Sequence, residues 1–105
     1  MMTVTMRPGV RLRSAVCDVE VIVVRASVPE VDLRCGGQEM QPLDGAHPGG
    51  GGPAAGFDAG TQLGKRYVDA DGLIELLCTK SGPSSLSVGD QLMIVREAKP
   101  LPSSD

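Results

Sequence analysis

Apolar and polar positions along this chain alternate in short stretches, and two longer runs are apolar almost throughout. Val10-Arg-Leu-Arg-Ser14 alternates with the period of a strand that buries one face. Val19-Glu-Val-Ile-Val-Val-Arg25 is rich in β-branched residues and nearly continuous, which predicts a strand covered on both faces. Ala26-Ser-Val-Pro-Glu30 reads as a turn. Val31-Asp-Leu-Arg-Cys35 alternates again, so it is expected to return antiparallel and form a hairpin with the apolar run. Gly36-Gly37 turns the chain, and Gln38 to Leu43 reads as a short last strand ended by Pro42.

The same order then recurs. Lys65-Arg-Tyr-Val68 is the first strand, Leu73-Ile-Glu-Leu-Leu-Cys-Thr79 the apolar run, and Ser81-Gly-Pro-Ser84 a turn. Ser85-Leu-Ser-Val88 returns, Gly89-Asp90 turns, and Gln91-Leu-Met-Ile-Val95 closes the sheet. A short helix over Leu73–Cys78 is the alternative for the apolar run. Residues 9–25 lie over 64–80 without a gap, and residues 33–40 over 86–93, with 8 identities in 25 aligned pairs. Gly9/Gly64, Arg11/Arg66, Glu20/Glu75, Gln38/Gln91 and Met40/Met93 are among them. Units this small cannot bury a hydrophobic face alone, so copies are expected to pack on each other. The fold class predicted is all-β: two similar antiparallel units, an internal duplication, packed as a pseudo-two-fold sandwich or small barrel. The boundaries are a tail at 1–8, β repeat 1 at 9–43, a Gly/Pro-rich linker at 44–61, β repeat 2 at 62–97 and a tail at 98–105. Together they form one cooperative domain. Gly49-Gly-Gly-Gly-Pro53 lies in the linker; it lacks the Gly-Lys-Ser/Thr ending of a phosphate loop.

Composition narrows the function classes. The core must be aliphatic, because the 105 residues include one Phe, one Tyr and no Trp. Net charge is −3 with no basic stripe, and together with the scarcity of aromatics this argues against nucleic acid as a partner. No apolar run reaches membrane-spanning length, and the first residues lack the apolar core of a signal peptide. The expectation is a cytoplasmic protein whose three cysteines are reduced thiols.

Cys17 and Cys35, each beside a turn, are the candidates for chemistry. Three readings stay open: thiols that only fill space, a reversible disulfide if the Cα atoms approach within about 7 Å, or metal ligands. Two thiolates do not close a structural iron or zinc site, which wants four ligands. Cys78, Asp18, Glu20, His47 or another chain would have to supply the rest. Cys78 aligns with Val23 and is expected in the core. His47 falls in the linker, which leaves a Cys-His dyad without support. Glu20 and Glu75 sit at matching places in the two apolar runs. Facing inward they would make a carboxylate pair for acid/base work; facing solvent they would pair with Arg11 and Arg66. Gln38 and Gln91 are expected to hold turns, and Met40 and Met93 to plug the two ends of the core.

Ser14-Ala-Val-Cys17, the following β segment, and Leu33-Arg-Cys-Gly-Gly-Gln-Glu-Met40 resemble the desulforedoxin family, including the small N-terminal domain of desulfoferrodoxins. That family shows Cys-x-x-Cys, a β-hairpin, then Leu-x-Cys-Cys-Gly-x-x-Met. The resemblance covers residues 10–42 and implies a tetrahedral four-thiolate iron site. Its ligand positions fall here on Ser14, Cys17, Cys35 and Gly36, so two thiols are kept. In the second half they fall on Asp69, Gly72, Val88 and Gly89, where none is.

Three functions are therefore carried forward. The first is a small non-catalytic accessory or binding module that docks on a partner protein, on a further copy of itself, or on a small ligand. The second is a desulforedoxin-like metal- or thiol-based redox protein using Cys17 and Cys35, with iron or zinc as the alternative cofactor. The third is a small enzyme with Glu20 and Glu75 as acid and base between the units.

Overall fold

The computed structural model describes residues 4–43 and 52–96. Every regular element among them is a strand. The first half carries β1 (Val4–Thr5), β2 (Arg11–Arg13), β3 (Glu20–Ala26), β4 (Glu30–Val31), β5 (Leu33–Cys35), β6 (Gln38–Glu39) and β7 (Gln41–Pro42). The second carries β8 (Arg66–Val68), β9 (Ile74–Lys80), β10 (Leu86–Val88), β11 (Gln91–Leu92) and β12 (Ile94–Arg96). The all-β class is as expected, and the apolar run at Leu73–Cys78 is strand rather than helix. Among the described residues no helix is long and apolar enough to cross a membrane.

Six strands form one antiparallel sheet in the order β12-β8-β9-β3-β2-β7, and four form a second, β11-β10-β5-β6. A small ladder pairs β1 with β4. A single apolar cluster draws on both larger sheets: Leu12, Val21, Val23, Leu76 and Cys78 from the first, Leu33, Cys35 and Leu86 from the second. Met40 and Met93 are buried in it.

The registers of the two halves correspond. Arg11↔Ile22, Leu12↔Val21 and Arg13↔Glu20 recur as Arg66↔Leu77, Tyr67↔Leu76 and Val68↔Glu75, each position 55 later. Arg34↔Glu39 and Cys35↔Gln38 recur as Ser87↔Leu92 and Val88↔Gln91, each 53 later. The halves meet strand on counterpart strand, β3 on β9 and β5 on β10. In the β3–β9 ladder the register slips at Val24 and at Thr79, corresponding positions of the two strands, so each carries a bulge there.

Three expectations need correction. The hairpin between the apolar run and residues 31–35 does not form: β3 pairs with β2 and β9, and β5 pairs with β10 and β6. Both edges of β3 are taken, so the returning segment is sent to the other sheet, where it meets its counterpart. Residues 1–8 are not all tail. Val4-Thr5-Met6 alternates buried, exposed, buried, and Met6 is 2% exposed. The segment 44–61 is not a free linker from end to end. The Ala54 amide donates to the Gly36 carbonyl, the Ser85 amide to the Phe57 carbonyl, and Thr61 bridges Gly82. Gly49 to Gly51 and His47 lie outside the described residues.

Candidate thiol site

Ser14 closes the turn between β2 and β3. Its amide donates to the Val19 carbonyl, and its Oγ accepts from the amides of Val16 (3.1 Å) and Cys17 (3.2 Å). Both acceptor sites of the hydroxyl are used, which leaves its proton free to donate. The turn presents Cys17 half-buried at the surface, while Cys35, at the end of β5, is wholly buried. The two thiols are neighbours: Cys17 helps to keep Cys35 protonated, and the Ser14 hydroxyl favours the thiolate of each. The cysteines are free thiols, with no disulfide between them.

The second half supplies the lid. Gly36 has φ +68°, and its amide donates to the Ser85 carbonyl at 2.9 Å. A Cβ on Gly36 would lie 2.7 Å from Ser84 Oγ and 2.8 Å from Val16 Cγ2, so only glycine fits. Ser84 is wholly buried, and its carbonyl accepts from Thr61 Oγ1 at 2.6 Å. Its own Oγ has no hydrogen-bond partner among the described residues, and its hydroxyl favours the Cys17 thiolate. Gly82 packs over the same sulfur: a Cβ there would lie 3.2 Å from Cys17 Sγ and 2.8 Å from Val19 Cγ2.

These surroundings separate the two sulfurs. Burial works against a Cys17 thiolate. The Ser14 and Ser84 hydroxyls and the backbone at Val19 and Ser84 outweigh it and hold the pKa below the usual thiol value. Burial pushes Cys35 up to about 12; Ser14 offsets part of this, and the neighbouring Cys17 and Cys78 add to it. Cys78 is core, as expected: burial raises its pKa, and its thiol donates to the Lys80 carbonyl at 3.2 Å. The result is a reachable thiol that ionises easily, beside a buried one that does not.

A closed four-thiolate iron site does not fit these residues. Ser14 and Gly36 stand at two of its positions, and Ser84 Oγ and Val16 fill the space beside Gly36. Among the described residues no group of three or more His, Cys, Asp or Glu side chains is placed to hold a metal ion.

Glu20 and Glu75 do not form a carboxylate pair. They fall at opposite ends of the β3–β9 ladder, Glu20 opposite Lys80 and Glu75 opposite Arg25. Glu20 lies 3.9 Å from Lys80 Nζ. Glu75 is 2% exposed, and the guanidinium groups of Arg66 and Arg96 hold it. Burial opposes its ionisation, but Arg96 and Arg66 prevail and keep its pKa below the ordinary carboxylate value. A carboxylate pinned in that way is a poor proton carrier at neutral pH. Of the two partners expected for these acids, Arg66 is in place, whereas the residues opposite Glu20 are Lys80 on β9 and Arg13 on β2, not Arg11.

Ser84 and Gly82 were not legible as site residues. They follow one another closely in a turn of the second half, and nothing in local alternation says that this turn covers a thiol of the first. No family model matches the chain, and neither curated proteins nor solved structures supply a match.

Proposed function

We propose that this chain is a small dithiol redox protein. Cys17 is the attacking thiolate and Cys35 the resolving thiol. What supports the reading is the placing of a half-buried cysteine, its pKa lowered by neighbouring hydroxyls, beside a wholly buried one whose pKa is raised. An oxidant accepts two electrons, both thiols lose their protons, and a Cys17–Cys35 bond forms. The reading belongs with a reducing cytoplasm, where the resting state is the dithiol. It also takes the two halves to be copies of one unit, of which the first kept its sulfurs.

Diamide treatment of the full chain tests it. The expected product has lost two hydrogens, and peptide mapping joins Cys17 to Cys35 while Cys78 stays free. Three intact thiols, or a bond to Cys78, would overturn it.

A second reading, the accessory module, has its own support. Leu92, Ile94 and Val95 are exposed on β11 and β12, at one edge of each larger sheet, and Ile94 is 59% exposed. They adjoin a cleft of about 340 Å³ lined by Tyr67, Leu86, Leu92, Met93 and Val95. Apolar residues on strands that end the sheets among the described residues suit pairing with another chain. Sedimentation analysis decides its simplest form: self-association that Ile94→Lys abolishes favours it, and a monomer at every concentration removes it.

A further inference from the structure

We infer that the cleft of about 340 Å³ beside Tyr67 binds a small aliphatic carboxylate, its chain held between the two larger sheets and its charge at Lys65. The inference needs neither the dithiol nor self-association.

Position is the first argument. Tyr67 and Val95 wall the cleft from the first sheet, and Leu86 and Leu92 from the second. Met93 lies where the chain crosses from β11 to β12. Leu86 and Met93 are buried, whereas Leu92 and Val95 are 44% and 41% exposed, so the mouth is apolar and open. Covering such surface with an aliphatic chain is favourable in proportion to its area. The volume falls within the range of small-ligand sites, about 300–1,000 Å³.

Polarity is the second. Tyr67 Oη accepts the Gln62 amide and Ser85 Oγ the Ala59 amide, both at 2.9 Å, and all four residues line the cleft. Each hydroxyl keeps its proton to donate. Lys65 is exposed at the same cleft, and its ammonium makes no ion pair or hydrogen bond among the described residues. None of the described lining residues is acidic. Two O–H donors and a lysine without a competing acid match one negative charge. A doubly charged phosphate would exceed what one lysine neutralises on a chain of net charge −3.

The duplicated frame is the third. The Lys65 amide donates to the Gln62 carbonyl as the Val10 amide does to Arg7, and Tyr67 pairs with Leu76 as Leu12 does with Val21. Lys65 and Tyr67 therefore stand where the first half has Val10, packed against the core, and Leu12, within it. The frame forms with aliphatic side chains at both places. An ammonium and a phenol at this end alone call for a reason outside the fold, and an anionic ligand supplies it.

The test uses the full chain with sodium octanoate as the probe. Tyr67 is the one tyrosine and the chain has no tryptophan, so tyrosine emission reports on the cleft. Octanoate is expected to give a saturable change in emission and one site by calorimetry. Each methylene added from butanoate to octanoate should tighten binding about fourfold. Octanol should bind about tenfold more weakly than octanoate. Lys65→Gln should weaken octanoate about threefold and leave octanol as it was. Leu92→Asp, at an exposed position, should abolish octanoate binding by setting a like charge in the mouth. The absence of saturable emission change and heat overturns the inference. Full affinity in both variants also overturns it, because the ligand would then sit elsewhere. Octanol as tight as octanoate overturns the choice of a carboxylate. The earlier readings fail separately: a monomer that binds octanoate removes self-association and keeps this inference, and diamide reports on the thiols alone.

Discussion

The turn at Ser14 and the turn at Asp69 occupy corresponding places in the two halves, and they differ in side chains and in backbone, since Gly72 has φ +69° where Cys17 has no positive φ. Ser14 Oγ accepts the amides of Val16 and Cys17; Asp69 Oδ1 accepts the Ile74 amide, and the Gly72 amide meets the Asp69 carbonyl. Across the halves, the Gly36 amide donates to Ser85 and the Gly89 amide to Asp32, at 2.9 and 2.8 Å. At the Asp69 end, however, Gly72 and Val88 stand where the sulfurs would be, and Val31 stands where Ser84 would be. The scaffold tolerates either set of side chains, so the sulfur-bearing end is not required to hold the sheets together. What distinguishes it is close packing around the sulfurs.

That difference is sharpest at the two glycines. Gly36 and Gly89 share a positive φ, but a Cβ on Gly36 meets Ser84 and Val16 below 3 Å, whereas on Gly89 the nearest atom, Asp32 Oδ2, is 3.9 Å away. Gly36→Ala should lose about 2–4 kcal/mol, from overpacking added to backbone strain. Gly89→Ala should lose about 1 kcal/mol, from strain alone. Urea titrations of the two variants measure both. Equal losses would mean that the niche is not tightly packed.

The strands behind this comparison were largely legible, and their partners were not. Alternation and β-branched runs located β2, β3, β8 and β9, because period and residue type are local properties. Which edge of Val19–Arg25 is filled, and by what, is a non-local question. The nearest returning segment is the wrong answer, because β9 from the other half takes that edge. Cys17 and Cys35 could be singled out as a pair. The hydroxyl that completes their niche could not, since Ser84 arrives from a different unit. Val4 and Met6 escaped because a three-residue alternation near the end of the chain is too short to separate from a tail.

The acids offer a second contrast between the halves. Glu75 is buried between two guanidinium groups, while Glu20 is half-buried, with Lys80 Nζ at 3.9 Å and Arg13 opposite it on β2. Glu75→Gln should cost about 1–2 kcal/mol, because charged hydrogen bonds are lost although both arginines remain solvated. Glu20→Gln should cost less than about 0.5 kcal/mol. The pH dependence has a definite sign. The folded pKa of Glu75 is lowered, so its stabilisation is complete above the unfolded carboxylate value and is lost as pH falls through the folded one. Unaltered chain and Glu75→Gln should therefore converge in stability in acid. A gap that stays constant down to the lowest pH would assign the loss to packing.

A further contrast lies with the sulfurs themselves, and it runs in opposite directions for the two. Cys17 has a lowered folded pKa, so it adds stability that is complete above the unfolded thiol value of about 8.5 and lost as pH falls through the folded value. Cys35 is raised to about 12. Above about pH 8.5 the unfolded chain ionises this thiol while the folded chain keeps it protonated, so stability declines as pH rises. At one pH unit above the unfolded value the decline from Cys35 amounts to about 1.4 kcal/mol. Denaturant titrations of unaltered chain and Cys35→Ala between pH 7 and 10 should show the slope flattening in the variant, with a residue left by Cys78, whose pKa is also raised. Equally steep alkaline declines would mean that Cys35 is not held neutral by the fold. The division into an attacking and a resolving sulfur would then lose its physical basis.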